Sequence, residues 1–170
     1  MPVNACTSVQ AEMAAEVGRF PFASVKDYDD YIARLKKFPD ELRQAETDML
    51  AGIDDGRVQP AEVLEKALKQ AEEIAGQAPE ASVFAAPLKK FPATVGSAAD
   101  RKRISEEMLD AIQNEVLPAY ARFANFLRAQ EIPAAQKGTG VLPAKENDAF
   151  YAFCVKRAAT WGKMVELKGK

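Results

Sequence analysis

The chain has 170 residues, 48% hydrophobic and 28% charged, with a formal net charge of -2. That length and balance fit one globular domain able to bury a core, and they exclude a disordered or fibrous chain. The 23 basic residues do not outnumber the 25 acids, so no electrostatic footprint for nucleic acid stands out, and histidine is absent altogether.

No run of about 18 apolar residues occurs, so no membrane insertion is expected. Residues 1–11 lack the basic and apolar regions of a secretory signal, which leaves the cytoplasm as the default compartment. Cys6 and Cys154 lie near opposite ends. They could pair only if the fold brought their Cα atoms within about 7 Å, and two free thiols in a reducing compartment is the simpler expectation.

Apolar spacing is helical nearly throughout. Ser24 followed by Asp27 predicts an N-cap with an acid in the first turn. Tyr28, Tyr31, Ile32 and Leu35 then recur at steps of three and four, one face of a helix. Phe38-Pro39 should interrupt it, because proline disfavours helical geometry at the residue before it. A second pattern, Leu42, Ala45, Met49 and Ile53, ends at Asp54-Asp55-Gly56, where glycine suits a left-handed cap. Gln59-Pro60 opens a third helix with the stripe Val63, Leu64, Ala67, Leu68, Ala71, Ile74 and Ala75, closed between Gly76 and Pro79.

Ala81 to Gly96 reads as a loop with one short helical turn around Val83 to Ala86. Ser97 and Asp100 cap the longest pattern, which runs to about Gln130 through Ile104, Met108, Ile112, Val116, Tyr120, Phe123 and Leu127. Pro118 inside it should kink it. Pro133, Gly138 and Gly140 mark the next connection. Lys145 to Ala159 reads as a further helix, with a weak pattern over the last ten residues. No alternating β-branched run appears. The expected fold is all-α: an irregular array of about five to seven helices, one of them long and kinked at Pro118, in a single helical domain or domain fragment over 1–170.

Few residue groups point to chemistry. Without histidine, neither a pair of imidazoles on a zinc helix nor a histidine-activated serine or cysteine can be built. Two distant thiols make a poor metal site. Clustered acids remain: Asp27, Asp29 and Asp30; Asp54 and Asp55; Glu72 and Glu73; Glu106 and Glu107. Paired carboxylates can do acid–base work when burial separates their pKa values, but these sit at helix ends and polar faces, where solvation and the helix dipole explain them. The runs Lys36-Lys37, Lys89-Lys90 and Arg101-Lys102-Arg103 read as solvated faces. Lys137-Gly138-Thr139-Gly140 lacks a phosphate-loop frame and reads as a turn. Tyr120, Phe123, Phe126, Phe150, Tyr151 and Phe153 could line a groove, although aromatics at helical spacing usually form core. No catalytic, cofactor-binding or metal residue is therefore assigned.

Five segments, FPFASVKDYDDYIARLKKFP, GIDDGRVQP, SVFAAPLKKFP, EVLPAYARFANFL and GTGVLPAKENDAFYAF, occur in an order and spacing that resembles the bacterial domain of unknown function 885 family. The resemblance covers about residues 20–153. It implies a large, mostly helical protein that looks like a zinc metallopeptidase, with a histidine-glutamate motif on a helix downstream of the matched region.

Asp27-Tyr28, Arg34-Leu35, Gly56, Pro60, Pro118 and Tyr120 match positions that the family uses structurally. Gly140, Leu142, Pro143 and Tyr151 match a loop and helix leading toward its catalytic half. After Tyr151 the pattern departs, with Arg157-Ala158-Ala159-Thr160-Trp161 retaining a single threonine. The resemblance thus implies a non-catalytic, truncated middle segment of a peptidase-like protein, with no hydrolase activity of its own. Two alternatives belong to other classes: a stand-alone helical module that self-associates or binds a helical partner, and a chain that complements a separate catalytic half.

Overall fold

A computed structural model describes residues 14–15, 17–56, 58–92 and 94–137 of the protein. Among these the fold is all-α, with no strand.

Helix α1 (Val25–Asp54) starts where expected. The Ser24 hydroxyl accepts the Asp27 N–H at 3.2 Å, and Asp27 Oδ2 accepts the Ser24 and Ala23 N–H groups at 2.8 and 2.9 Å. The Asp27 N–H of the first turn and the two N–H groups just before the helix are thereby satisfied, the reciprocal pair between Ser24 and Asp27 being a capping box. At the other end Gly56 adopts φ +69° and donates its N–H to Ile53 O at 3.0 Å, the left-handed cap that an L side chain would resist.

The predicted break at Phe38-Pro39 does not occur: α1 runs straight through Pro39. A proline inside a helix lacks the N–H that would serve the carbonyl four residues back, at a typical cost of about 3 kcal/mol. Here Tyr28, Tyr31, Ile32, Leu35, Phe38, Leu42, Ala45 and Met49 are all buried along one unbroken face. Each large apolar side chain so buried is worth roughly 1.5–3 kcal/mol, and breaking the rod would take half of that face off the core. Arg122 Nη2 also donates to Pro39 O at 3.3 Å.

A short turn folds α2 (Ala61–Ala75) back, with the Pro60 carbonyl accepting the N–H groups of Val63 and Leu64. Leu64, Ala67 and Ala71 form its buried stripe. The predicted loop beyond it carries 3-10 turns at Pro79–Ala81 and Val83–Ala85 and the single-turn helix α3 (Ala86–Lys89).

Ser97 and Asp100 form a second capping box, with Ser97 N–H to Asp100 Oδ2 at 2.8 Å and Asp100 N–H to Ser97 Oγ at 3.1 Å. From there the chain is helical without interruption as α4 (Ala98–Ala111), a π-turn Ile112–Val116, α5 (Leu117–Phe126), a second π-turn Leu127–Glu131 and α6 (Ile132–Lys137). The irregularity expected at Pro118 is a π-turn that ends two residues before it. The connection expected at Pro133 is replaced by the same device: a π-turn ends two residues before that proline as well. One extra residue in the turn moves each proline into the opening of the next α segment, where its missing N–H matters little. The fusion across Pro39 lowers the helix count, whereas continuation through Pro133 only lengthens the last helix. Counting the run from Ala98 to Lys137 once, the described residues hold four helices rather than five to seven. The helix predicted over Lys145 to Ala159 lies outside the described residues.

Ion pairs Asp29–Arg103 (3.0 Å) and Glu46–Arg122 (3.2 Å) advance together along both helices, so α1 and the long helix run side by side in the same direction. At about 1.5 Å per residue, the 15 residues of α2 span only half the length of the 30-residue α1. The crossover from α2 to α4 covers the other half. Phe84 meets Phe38 and Tyr120 (ring centroids 6.2 and 6.1 Å) and its carbonyl accepts the Tyr31 hydroxyl at 3.1 Å. Further along, Phe91 stacks on Tyr28 at 4.3 Å, and Gly96 reaches Val25. The aromatic steps of this crossover thus lie along α1 in reverse order and close the core.

Candidate functional site

Most residues that could have formed a site are occupied structurally. Asp27 and Asp100 are caps, and both carboxyls are held below the ordinary carboxylate range, Asp27 chiefly by the Ala23 N–H and Asp100 chiefly by the Ser97 hydroxyl. Asp29 and Glu107 share Arg103, whose guanidinium is raised by those two bonds. Asp30 pairs with Lys26, Glu72 with Arg128, Glu73 with Lys69 and Glu106 with Lys102. Asp54 and Asp55 close α1 in solvent. The acid clusters are therefore split among bases on their own or neighbouring helices, and among the described residues no three metal-ligating side chains gather.

Tyr120 and Phe123 are fully buried and Phe126 half-buried, so these aromatics are core. Phe150, Tyr151 and Phe153 lie outside the described residues, as do Cys6, Cys154 and the Gly138–Gly140 turn. A second aromatic group, Phe20, Phe22, Tyr28, Tyr31 and Phe91, packs around the start of α1, with Arg34 above the Phe20 ring at 5.7 Å. Phe22 sits there at φ +44°, a left-handed backbone that a bulky residue rarely adopts. Burial pushes the Tyr31 and Tyr120 phenols up, so both stay neutral and apolar in character.

One acid does not fit this pattern. Glu131 is 2% exposed, and its Oε1 has no hydrogen-bond partner among the described residues. Burial alone raises its carboxyl from 4.5 to about 7. It closes the second π-turn, which packs against α1, α2, α5 and α6. Sequence reasoning passed over it, although the register carries a clue. The buried stripe Val116, Tyr120, Ala124 and Leu127 continues at steps of three and four to Glu131 and then Ala135. An acid standing where the helical repeat asks for an apolar residue was the available sign. Such a carboxyl exchanges its proton near neutrality, the property expected of a general acid or base. Among the described residues no second titratable group contributes to its shift, so none of them forms a dyad with it.

Together these observations define an all-helical scaffold, closed by aromatic packing, with one buried carboxyl in the seam of its long helix. The profile of the family described as "Bacterial protein of unknown function (DUF885)" matches residues 1–164, and the chain belongs to that family. The match extends beyond the 20–153 span carried by the five segments. Searches of curated proteins and of solved structures give no match.

Proposed function

We propose that these 170 residues are the helical scaffold part of a peptidase-like DUF885 architecture and carry no hydrolase activity of their own. What supports the reading most directly is the complete absence of histidine from the chain. A zinc-dependent peptidase needs neutral imidazoles or thiolates to hold the metal and a carboxylate poised as base, and the histidine part of that set would have to be supplied from outside these residues.

The positions that carry the resemblance support the same reading, because each of those described holds the fold. Asp27 caps α1, Tyr28 and Leu35 lie in the core, and Arg34 covers Phe20. Gly56 makes the left-handed turn, Pro60 starts α2, Pro118 follows a π-turn and Tyr120 packs on Phe38. Of the large apolar side chains described, Leu50 (43%) and Val83 (39%) are the exposed ones, which gives a helical partner or a second copy no extended apolar patch on that surface.

The test is metal content and turnover on the purified chain. Zinc should be substoichiometric after dialysis against a chelator, and hydrolysis of a mixed peptide substrate should stay at the buffer rate. Retained stoichiometric zinc, or turnover that copurifies with the chain through successive columns, would overturn the proposal.

A further inference from the structure

The scaffold leaves one feature unused, at Glu131. Its turn is π-helical, a local departure from α geometry that often marks a hinge or functional position in a helix. That turn lies in the seam between the long helix, α1 and α2, and it leads directly into α6. The Glu131 side chain is out of water, with one carboxyl oxygen unpartnered among the described residues.

Among the described side chains, the charged groups of the surrounding helices are engaged elsewhere or face solvent. Glu46 on α1 holds Arg122, and Asp48 accepts from Gln44. Glu72 on α2 holds Arg128 of the long helix, while Lys69 faces Glu73. Glu65 and Lys66 are exposed to solvent. A protonated carboxyl can stay in such a seam as a small neutral group. An ionised one needs water or a cation, and none of the described side chains bonds its Oε1.

We propose that Glu131 is a proton-operated latch: protonated, it keeps its π-turn against α1 and α2 and α6 seated on α2, and ionised, it draws water into the seam and releases that end of the helix. Burial holds the carboxyl up to about 7, whereas the exposed group titrates near 4.5. The latch is therefore fully closed below about 4.5, weakens as pH rises, and is open once pH passes about 7.

The experiment compares the unaltered chain with Glu131→Gln, which keeps the shape and removes the titration. Urea unfolding at pH 5.5 and 8.0 should show the folding constant of the unaltered chain falling by up to about 25-fold. The Glu131→Gln chain should lose little. Parallel losses in the two chains would overturn the latch. Should Glu131→Gln fail to fold, amide hydrogen exchange on the unaltered chain decides, after correction for the intrinsic pH dependence. Residues 134–137 should lose protection between pH 5.5 and 8.0 while Leu117–Phe126 keeps it. Unchanged protection at 134–137, or equal loss along the whole helix, overturns the proposal.

Discussion

Tyr28 and Tyr31 sit one turn apart on α1, at 0% and 1% exposure, and differ in one respect. The Tyr31 hydroxyl donates to the Phe84 carbonyl at 3.1 Å, whereas the Tyr28 hydroxyl is buried with no partner among the described residues. Replacing each with phenylalanine should therefore act in opposite directions. Tyr31→Phe strips a buried carbonyl of this donor, and an acceptor left unmade costs about 1–3 kcal/mol. In Tyr28→Phe the hydroxyl that gave up water for nothing is gone. Burying such a group without a bond costs about 1–3 kcal/mol in protein mutational data, and most of that should be recovered. The ring remains, and so does its parallel stack on Phe91 at 4.3 Å.

Burial raises both phenols, so neither ionises near neutral pH and charge does not enter the comparison. We expect Tyr31→Phe to lose about 1.5 kcal/mol and Tyr28→Phe to gain about 1 kcal/mol, a spread of roughly 2.5 kcal/mol. With urea slopes of about 1–3 kcal/mol/M, the two midpoints should differ by about 1 M or more. Urea titrations followed by circular dichroism at pH 7 would measure it. A Tyr28→Phe midpoint as low as that of Tyr31→Phe would show that the Tyr28 hydroxyl is bonded after all, and the reasoning fails.

Gly96→Ala should destabilise by about 2 kcal/mol or more, because Gly96 has φ +63° and an added Cβ would stand 2.7 Å from Val25 Cγ2; an unchanged melting temperature would refute the close approach. Leu64→Ala, at a position with 0% exposure, should cost about 2–5 kcal/mol, while Leu50→Ala, at 43% exposure, should stay within about 0.5 kcal/mol; equal losses in denaturant unfolding would contradict the assignment of the α2 core stripe. Asp27 and Asp100 are held below their ordinary value of 3.8, so their contribution to stability is present above that pH and lost as pH falls through their lower folded values. The double variant Asp27→Asn/Asp100→Asn should flatten the acid limb of a stability profile taken from pH 5 to 2.5, and an unaltered limb would show that the caps are not acid-sensitive.

Much of the fold is legible in local chemistry. The Ser24–Asp27 and Ser97–Asp100 boxes, the left-handed Gly56 and the stripe of α2 all depend on groups within about four residues of one another, so residue order alone predicts them. The clustered acids were readable as residues of helix ends and polar faces, and the structure places them at such exposed or half-exposed positions. What residue order could not settle is which local rule would be overruled. Pro39 and Pro133 each carry a helix-breaking penalty of about 3 kcal/mol, and only packing across the bundle decides whether burial on both sides offsets it. At Pro39 the continuous apolar face wins, and at Pro133 a π-turn absorbs the conflict. The same holds for Glu131. Its place in the helical repeat was visible, but its environment was not, because a carboxyl's titration depends on how completely three helices exclude water from it, and residues far apart in the chain set that exclusion.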